Sequence, residues 1–169
     1  MLEVDIWKWL KNCFTPDEHV QRIESLNSAG VPDVEGQIPG CQFWIELKRI
    51  HKGTLKFEVG QREWARRRWK AGGRSYILIV HDASREMFMV PGGLAMVLPL
   101  NGKADLALLR LLCSMRGLYK VTGDQRAFSM SANGGLWVRQ VLNSLRDSLR
   151  VQVLLNTAVS EFKGVESLI

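Results

Sequence analysis

The chain has 169 residues, 46% of them hydrophobic, and a formal net charge of +6. That length and apolar content suit a single domain of ordinary size with its own core, and its apolar runs, such as 76–80, are far too short to span a bilayer. Three scattered cysteines (Cys13, Cys41, Cys113) show no metal or disulfide spacing. The acidic start Met-Leu-Glu-Val-Asp has no secretory pattern, so a cytoplasmic location is expected.

Residues 2–13 read as a helix. Leu2, Ile6, Trp9, Leu10 and Cys13 recur on one apolar face. Thr15-Pro16-Asp17 ends it. Residues 19–24 form a short strand candidate, with Val20 and Ile23 apolar. A loop through Asn27-Ser28-Ala29-Gly30 follows.

The next stretch carries the chemistry. Phe43, Trp44, Ile45, Glu46, Leu47 and Lys48 alternate with period two, and strands send alternate side chains to opposite faces. Phe43, Ile45 and Leu47 therefore share a face suited to packing under a helix. Trp44, Glu46 and Lys48 share the other. Pro39-Gly40 reads as the turn of a hairpin. A hairpin centred there places Asp33 opposite Glu46, within about one residue of register. Directly paired residues have Cβ atoms about 4.5–5.5 Å apart. Two carboxylates that close repel unless a cation sits between them. Lys48 supplies one charge and a hard divalent ion would supply two. Oxygen ligands with few protein groups favour Mg²⁺, with Mn²⁺ as substitute. An isolated Glu-x-Lys is ordinarily a surface ion pair. The upstream Pro-Asp, the turn and the apolar alternation favour a metal site.

The charge is concentrated next to it. Residues 44–76 hold ten Lys or Arg against three acids, a surplus of seven, while the rest of the chain nets −1. Clustered Arg and Lys attract phosphate backbones. Beside a metal site, nucleic acid is a better reading than a merely solvated face.

Residues 50–59 read as a connection containing Lys52-Gly53, and 60–71 as a second helix stopped by Gly72-Gly73. Residues 76–80 read as a strand buried on both faces, and 87–90 as another, broken by Pro91-Gly92-Gly93. The order helix, three strands, helix, strand, strand indicates an α/β fold with a mixed sheet. Beyond residue 100 the signal weakens. Residues 103–116 and 136–150 read as helices, and 129–135 as a loop. The expected division is a core over 1–100 and a mostly helical extension over 101–169.

These residues resemble the PD-(D/E)XK nuclease superfamily, and within it the small VRR-NUC-like endonucleases of phages and bacteria. The resemblance covers roughly residues 1–90. It runs through Glu3 with Trp7, His19-Val20-Gln21-Arg22-Ile23-Glu24, Gly30-Val31-Pro32-Asp33-Val34, Phe43 to Lys48, and Gln61 with Trp64. It implies a restriction-endonuclease-like mixed sheet flanked by helices. It also implies a Mg²⁺-dependent DNA endonuclease of a bacterial or phage-infected cell, selective for flaps, junctions or other branched DNA rather than for sequence. Asp33 and Glu46, with the Leu47 backbone carbonyl, would ligate the metal. Lys48 would orient or deprotonate the attacking water and steady the phosphorane charge. Gln61 would orient Lys48 or a phosphate. Glu3 would assist through water or a second metal, with Glu24 its rival for that role. Arg49, Lys52, Arg62, Arg66, Arg67 and Lys70 would contact DNA.

Other candidates have plainer explanations. His19, His51 and His81 lack metal spacing and read as surface or phosphate-contact residues. Glu35 reads as a solvated carboxylate. Trp44 and Trp64 read as packing residues, with base stacking the alternative. A homodimer would suit a symmetric junction, since two cuts need two sites. The competing functional reading is a nucleic-acid-binding module that keeps the fold without cutting. A third is an assembly protein that oligomerises through its Leu-rich tail.

Overall fold

The computed structural model describes residues 3–24, 30–84, 86–114 and 119–121. Helix α1 (Glu3–Lys11) leads into β1 (His19–Arg22), β2 (Val34–Ile38) and the long β3 (Cys41–Ile50). Then come β4 (Thr54–Lys56), α2 (Gln61–Lys70), β5 (Arg74–His81) and β6 (Glu86–Pro91). A 3₁₀ turn (Gly92–Val97), β7 (Asn101–Lys103), α3 (Leu106–Ser114) and β8 (Tyr119–Val121) complete the described chain.

Among the described residues, the main sheet has six strands in the order β1-β2-β3-β5-β6-β8. Only the β3–β5 pair is parallel; the other neighbours are antiparallel. A parallel pair needs a crossover, and α2 lies in that connection. The result is the mixed, helix-flanked α/β sheet expected of a restriction-endonuclease-like fold. β5 lies between β3 and β6, and Tyr76 to Val80 are fully buried. That explains its unbroken apolar run.

The alternation in β3 sorts its side chains as its sequence dictates. Phe43 stacks on Phe14, just past α1, with ring centroids 5.6 Å apart. Trp44, on the opposite face, packs against Trp64 of α2 at 5.4 Å. Ser75, paired with Trp44 across the parallel register, donates its hydroxyl to the Ala65 carbonyl at 2.7 Å. α2 therefore covers the face that also carries Glu46 and Lys48.

Two parts of the chain depart from expectation. The connection over 50–59 contains a strand: β3 runs on to Ile50, turns, and returns as β4, which pairs with β7. Four strands thus precede α2, not three. Beyond residue 100, β7 and β8 pair with β4 and β6, and α3 begins at Leu106 rather than 103. Arg110 of α3 binds Glu86 of β6 through two hydrogen bonds of 2.8 and 2.9 Å. β7, α3 and β8 are thereby tied to the strands before them. The expected loop at 129–135 and helix at 136–150 lie outside the described residues. None of the described helices is long and apolar enough to cross a membrane.

Candidate active site

The β2–β3 pairing has the register that a turn on Pro39-Gly40 predicts. Ile38 pairs with Cys41, Gly36 with Phe43, and Val34 with Ile45. Continued by one step, the register sets Asp33 beside Glu46, and by a further step Pro32 beside Leu47. Here the ladder changes character. The Asp33 carbonyl turns to β1 and accepts the Ile23 N–H at 2.7 Å. Its side chain turns to β3, where Oδ2 accepts the Leu47 N–H at 2.7 Å. The N–H and C=O of a strand residue leave by the same edge, so the Leu47 carbonyl also opens on the Asp33 side. Pro32, opposite it, has no N–H to give. The Pro-Asp pair thus ends the ladder and places a carboxylate and a backbone carbonyl side by side.

Glu46 is buried, with 1% of its surface exposed. Its Oε1 lies 2.5 Å from Lys48 Nζ. Both carboxyl oxygens are buried, and apart from the Lys48 ion pair at Oε1 neither has a well-directed hydrogen bond among the described residues. Burial pushes the Glu46 carboxyl up to about 8; the Lys48 charge opposes this and the Asp33 charge adds to it. Lys48, 7% exposed, also stands over the Phe57 ring, 5.7 Å from its centroid. Burial works against the Lys48 charge, but the Glu46 carboxylate outweighs it, and Asp33 and Glu3 add to the upward shift. As pH rises, Glu46 ionises first beside a charged Lys48, and the new carboxylate then holds that ammonium charged.

Among the described residues, no cluster of three or more His, Cys, Asp and Glu side chains could hold a metal by itself. The donor set here is two carboxylates and a carbonyl. That fits Mg²⁺, which keeps several waters of its own. The buried Glu46 carboxylate, without a well-directed hydrogen bond among the described residues, fits the same ion.

A cleft of about 430 Å³ is lined by Glu3, Lys48, Arg49, His51, Lys52, Thr54 and Lys56, but not by Asp33 or Glu46. Glu3 therefore shares the Lys48 cleft, whereas Glu24 is exposed just past the end of β1. Gln61 is buried at the start of α2, where its Oε1 accepts the Glu58 N–H at 2.8 Å. The loop before Asp33 is packed against this helix start. Gly30 has φ +88°, and a Cβ there would lie 2.7 Å from the Gly60 carbonyl carbon. Only glycine allows that approach.

The basic residues divide between two surfaces. Arg49 and Lys52 line the Lys48 cleft. Arg62 donates to the Leu98 carbonyl. Arg66 forms a paired bond with Glu63 at 2.8 and 2.6 Å. Arg67 lines a separate hollow on α2 with Gly60, Glu63, Trp64, Arg68 and Ala71, and Lys70 is exposed. None of these four α2 residues lines the Lys48 cleft. Trp44 and Trp64, which pack on each other, behave as packing residues.

Sequence reasoning missed Thr54, Lys56 and Asp82. Thr54 and Lys56 are two apart on β4 and so share a face. Asp82 meets both Arg49 and His51: Arg49 Nη2 donates to its Oδ2, and His51 Nδ1 lies 3.0 Å from the same oxygen. Burial raises the Asp82 carboxyl, but hydrogen bonds from Arg49 and His51 outweigh it and lower it below its ordinary value. The parallel register, which pairs Ile50 with His81, brings residues 51 and 82 together.

No family profile and no curated protein matches the sequence. Among solved structures, the chain is similar to Hjc, a Holliday junction resolvase from Archaeoglobus fulgidus. That likeness has 16% identity and a TM-score of 0.46, and covers 64% of this chain and 88% of the other.

Proposed function

We propose that the protein is a Mg²⁺-dependent endonuclease that hydrolyses DNA phosphodiester bonds and prefers branched substrates such as flaps or four-way junctions. One observation carries this reading. A buried glutamate is paired with a buried lysine that lines a basic cleft, beside an aspartate fixed by the neighbouring strand.

Asp33, Glu46 and the Leu47 carbonyl would hold the ion. When bound, Mg²⁺ supplies Lewis-acid polarisation of the phosphoryl oxygen and lowers the pKa of water at the site. The chain's own groups do the rest. Lys48, pinned by Glu46 and the Phe57 ring, presents a fixed ammonium where negative charge develops, so little reorganisation is needed during reaction. It also orients the attacking water in line with the leaving oxygen. Glu3, lining the Lys48 cleft, is the accessory carboxylate, reaching the site through water. Gln61, through its bond to Glu58 N–H, locks the turn into α2 and so supports the wall behind Lys48. Arg49 and Lys52 hold the strand. The α2 cations Arg62, Arg66, Arg67 and Lys70 would meet only a second arm of a branched substrate or a second protomer.

The test is a cleavage panel of single-stranded, duplex, flap and four-way-junction DNA. The reading expects Mg²⁺-dependent cutting that is strongest on branched DNA and abolished in Asp33→Ala. Equal cutting by that variant would reject the site.

A further inference from the structure

The cleft lined by Glu3 and Lys48 is also lined by Arg49, His51, Lys52 and Lys56 of the β3–β4 hairpin. Lys48 lies on β3, whereas Lys52 stands in the turn beyond the strand's end at Ile50 and Lys56 on the returning β4. The cations are thus spread along the hairpin, not gathered at Lys48 alone. Among the described residues, Glu3 is the one acidic side chain lining the cleft.

The hairpin tip is built at some cost in strain. His51 and Thr54 exchange backbone hydrogen bonds of 3.1 and 3.0 Å around the two-residue turn Lys52-Gly53. Both turn residues are left-handed, with φ 50° and 74°. Such turns favour Asn-Gly or Asp-Gly. Among the described residues, Lys52 is the one non-glycine residue at positive φ. A lysine at this position places a cation at the tip where turn geometry alone would favour a short polar side chain.

Asp82 is the second unusual feature. By charge alone, an aspartate beside a phosphate-binding surface weakens it. Here one oxygen holds both Arg49 and His51. The His51 side chain is 57% exposed. Nδ1 faces Asp82 at 3.0 Å and Arg49 Nη2 at 3.1 Å; in the imidazolium form both ring nitrogens donate, Nδ1 to Asp82 and Nε2 to a phosphate oxygen.

We propose that the β3–β4 hairpin is a second phosphate subsite for the nucleic-acid strand, contacted by Lys52, Lys56 and Nε2 of His51, with Asp82 as the positioning residue that fixes His51 and Arg49. This rests on the phosphodiesterase reading above. It predicts the opposite of simple charge bookkeeping: Asp82→Asn removes a negative charge yet weakens DNA binding, because His51 and Arg49 lose their anchor.

The experiment measures binding of a labelled DNA strand to the full chain by fluorescence anisotropy in EDTA. Neutral methylphosphonates are placed singly along the strand, and Mg²⁺ cleavage is assayed on the same preparations. Asp82→Asn is expected to weaken binding about tenfold. One methylphosphonate position is expected to weaken wild-type binding about tenfold. It should cost nothing further in the Lys52→Ala/Lys56→Ala double variant, whose exposed side chains carry no core packing. Binding by folded Asp82→Asn as tight as wild type, or a methylphosphonate penalty shared by wild type and double variant, would overturn the subsite. Cleaving wild type with unaffected variants removes the subsite alone. Wild type that binds but never cleaves removes the phosphodiesterase reading and leaves the subsite to the methylphosphonate scan. Wild type that binds no DNA overturns both.

Discussion

Asp33 accepts the Leu47 N–H through its side chain, at 2.7 Å, where β2 has left the ladder. The carboxylate thus closes the strand end, and in the proposed function its other oxygen serves the metal site. The tasks separate by mutation. Asp33→Asn keeps an oxygen acceptor for Leu47 but loses the charge. Its fold stability should stay near wild type while Mg²⁺ affinity falls. Asp33→Ala loses both and should cost a further 1 to 2 kcal/mol or so of stability, the scale of a lost charged hydrogen bond. Urea denaturation in EDTA, beside Mg²⁺ titration calorimetry, distinguishes the two.

Glu46 gives a prediction in pH. Its carboxyl in the folded protein titrates near 8, above its ordinary value of 4.5. A raised folded value means the folded state holds the proton more tightly. Its stabilising contribution is therefore full below about 4.5 and is lost as pH rises through about 8. Metal-free protein should lose on the order of a few kcal/mol across that window. Glu46→Gln, which cannot ionise, should flatten the profile and be the more stable protein at pH 8 in EDTA. Because Mg²⁺ must displace the proton, its affinity should rise with pH up to about 8. Thermal melts from pH 4.5 to 8.5, with and without Mg²⁺, check both statements.

Much of this geometry was legible in the chain. Period-two alternation from Phe43 to Lys48 and the Pro39-Gly40 turn fix a register that the backbone follows, so the approach of Asp33 to Glu46 could be read before any coordinates. The apolar face of α1 and the buried run of β5 were legible for the same reason: burial leaves a periodic imprint. The β3–β4 hairpin was not, because Lys52-Gly53 lacks the Asn or Asp that marks such turns. β7 and β8 are three-residue strands whose pairing is entirely long-range. The fate of the cations was also hidden. Arg62 ends on the Leu98 carbonyl, a backbone group with no sequence signature, and helical geometry carries Arg66 and Arg67 away from Arg49. A contiguous run of charge in sequence became two surfaces in space.

Two left-handed glycines should respond differently to the same change. Gly53→Ala meets open space, so only the backbone conformation resists it, about 1 kcal/mol. Gly30→Ala meets the Gly60 backbone at 2.7 Å, and should cost about 1 to 3 kcal/mol. It should also disturb the site, since it separates the loop before Asp33 from the start of α2. Melting temperatures for the pair, with Mg²⁺ affinity as second readout, test this. Equal destabilisation would contradict the contact.

Arg110 binds Glu86, a carboxylate only 4% exposed, with two parallel hydrogen bonds. Arg110→Ala should loosen α3 from β6 and lower stability by about 1 to 2 kcal/mol, discounted because the arginine is itself half exposed. Hydrogen exchange of α3 amides should rise while those of β3 stay protected. Uniform loss of protection would show that α3 unfolds only with the whole sheet.

In the proposed function Lys48 and Glu46 form a catalytic pair and not a buried structural one. The most direct measurement is single-turnover cleavage of a four-way DNA junction by wild type and Lys48→Ala, with junction binding measured in EDTA on the same samples. Mg²⁺-dependent cutting by wild type is expected, and a rate at least about a hundredfold lower for Lys48→Ala, with binding nearly unchanged. Cutting by Lys48→Ala at the wild-type rate, or wild-type cutting that persists in EDTA, would contradict it.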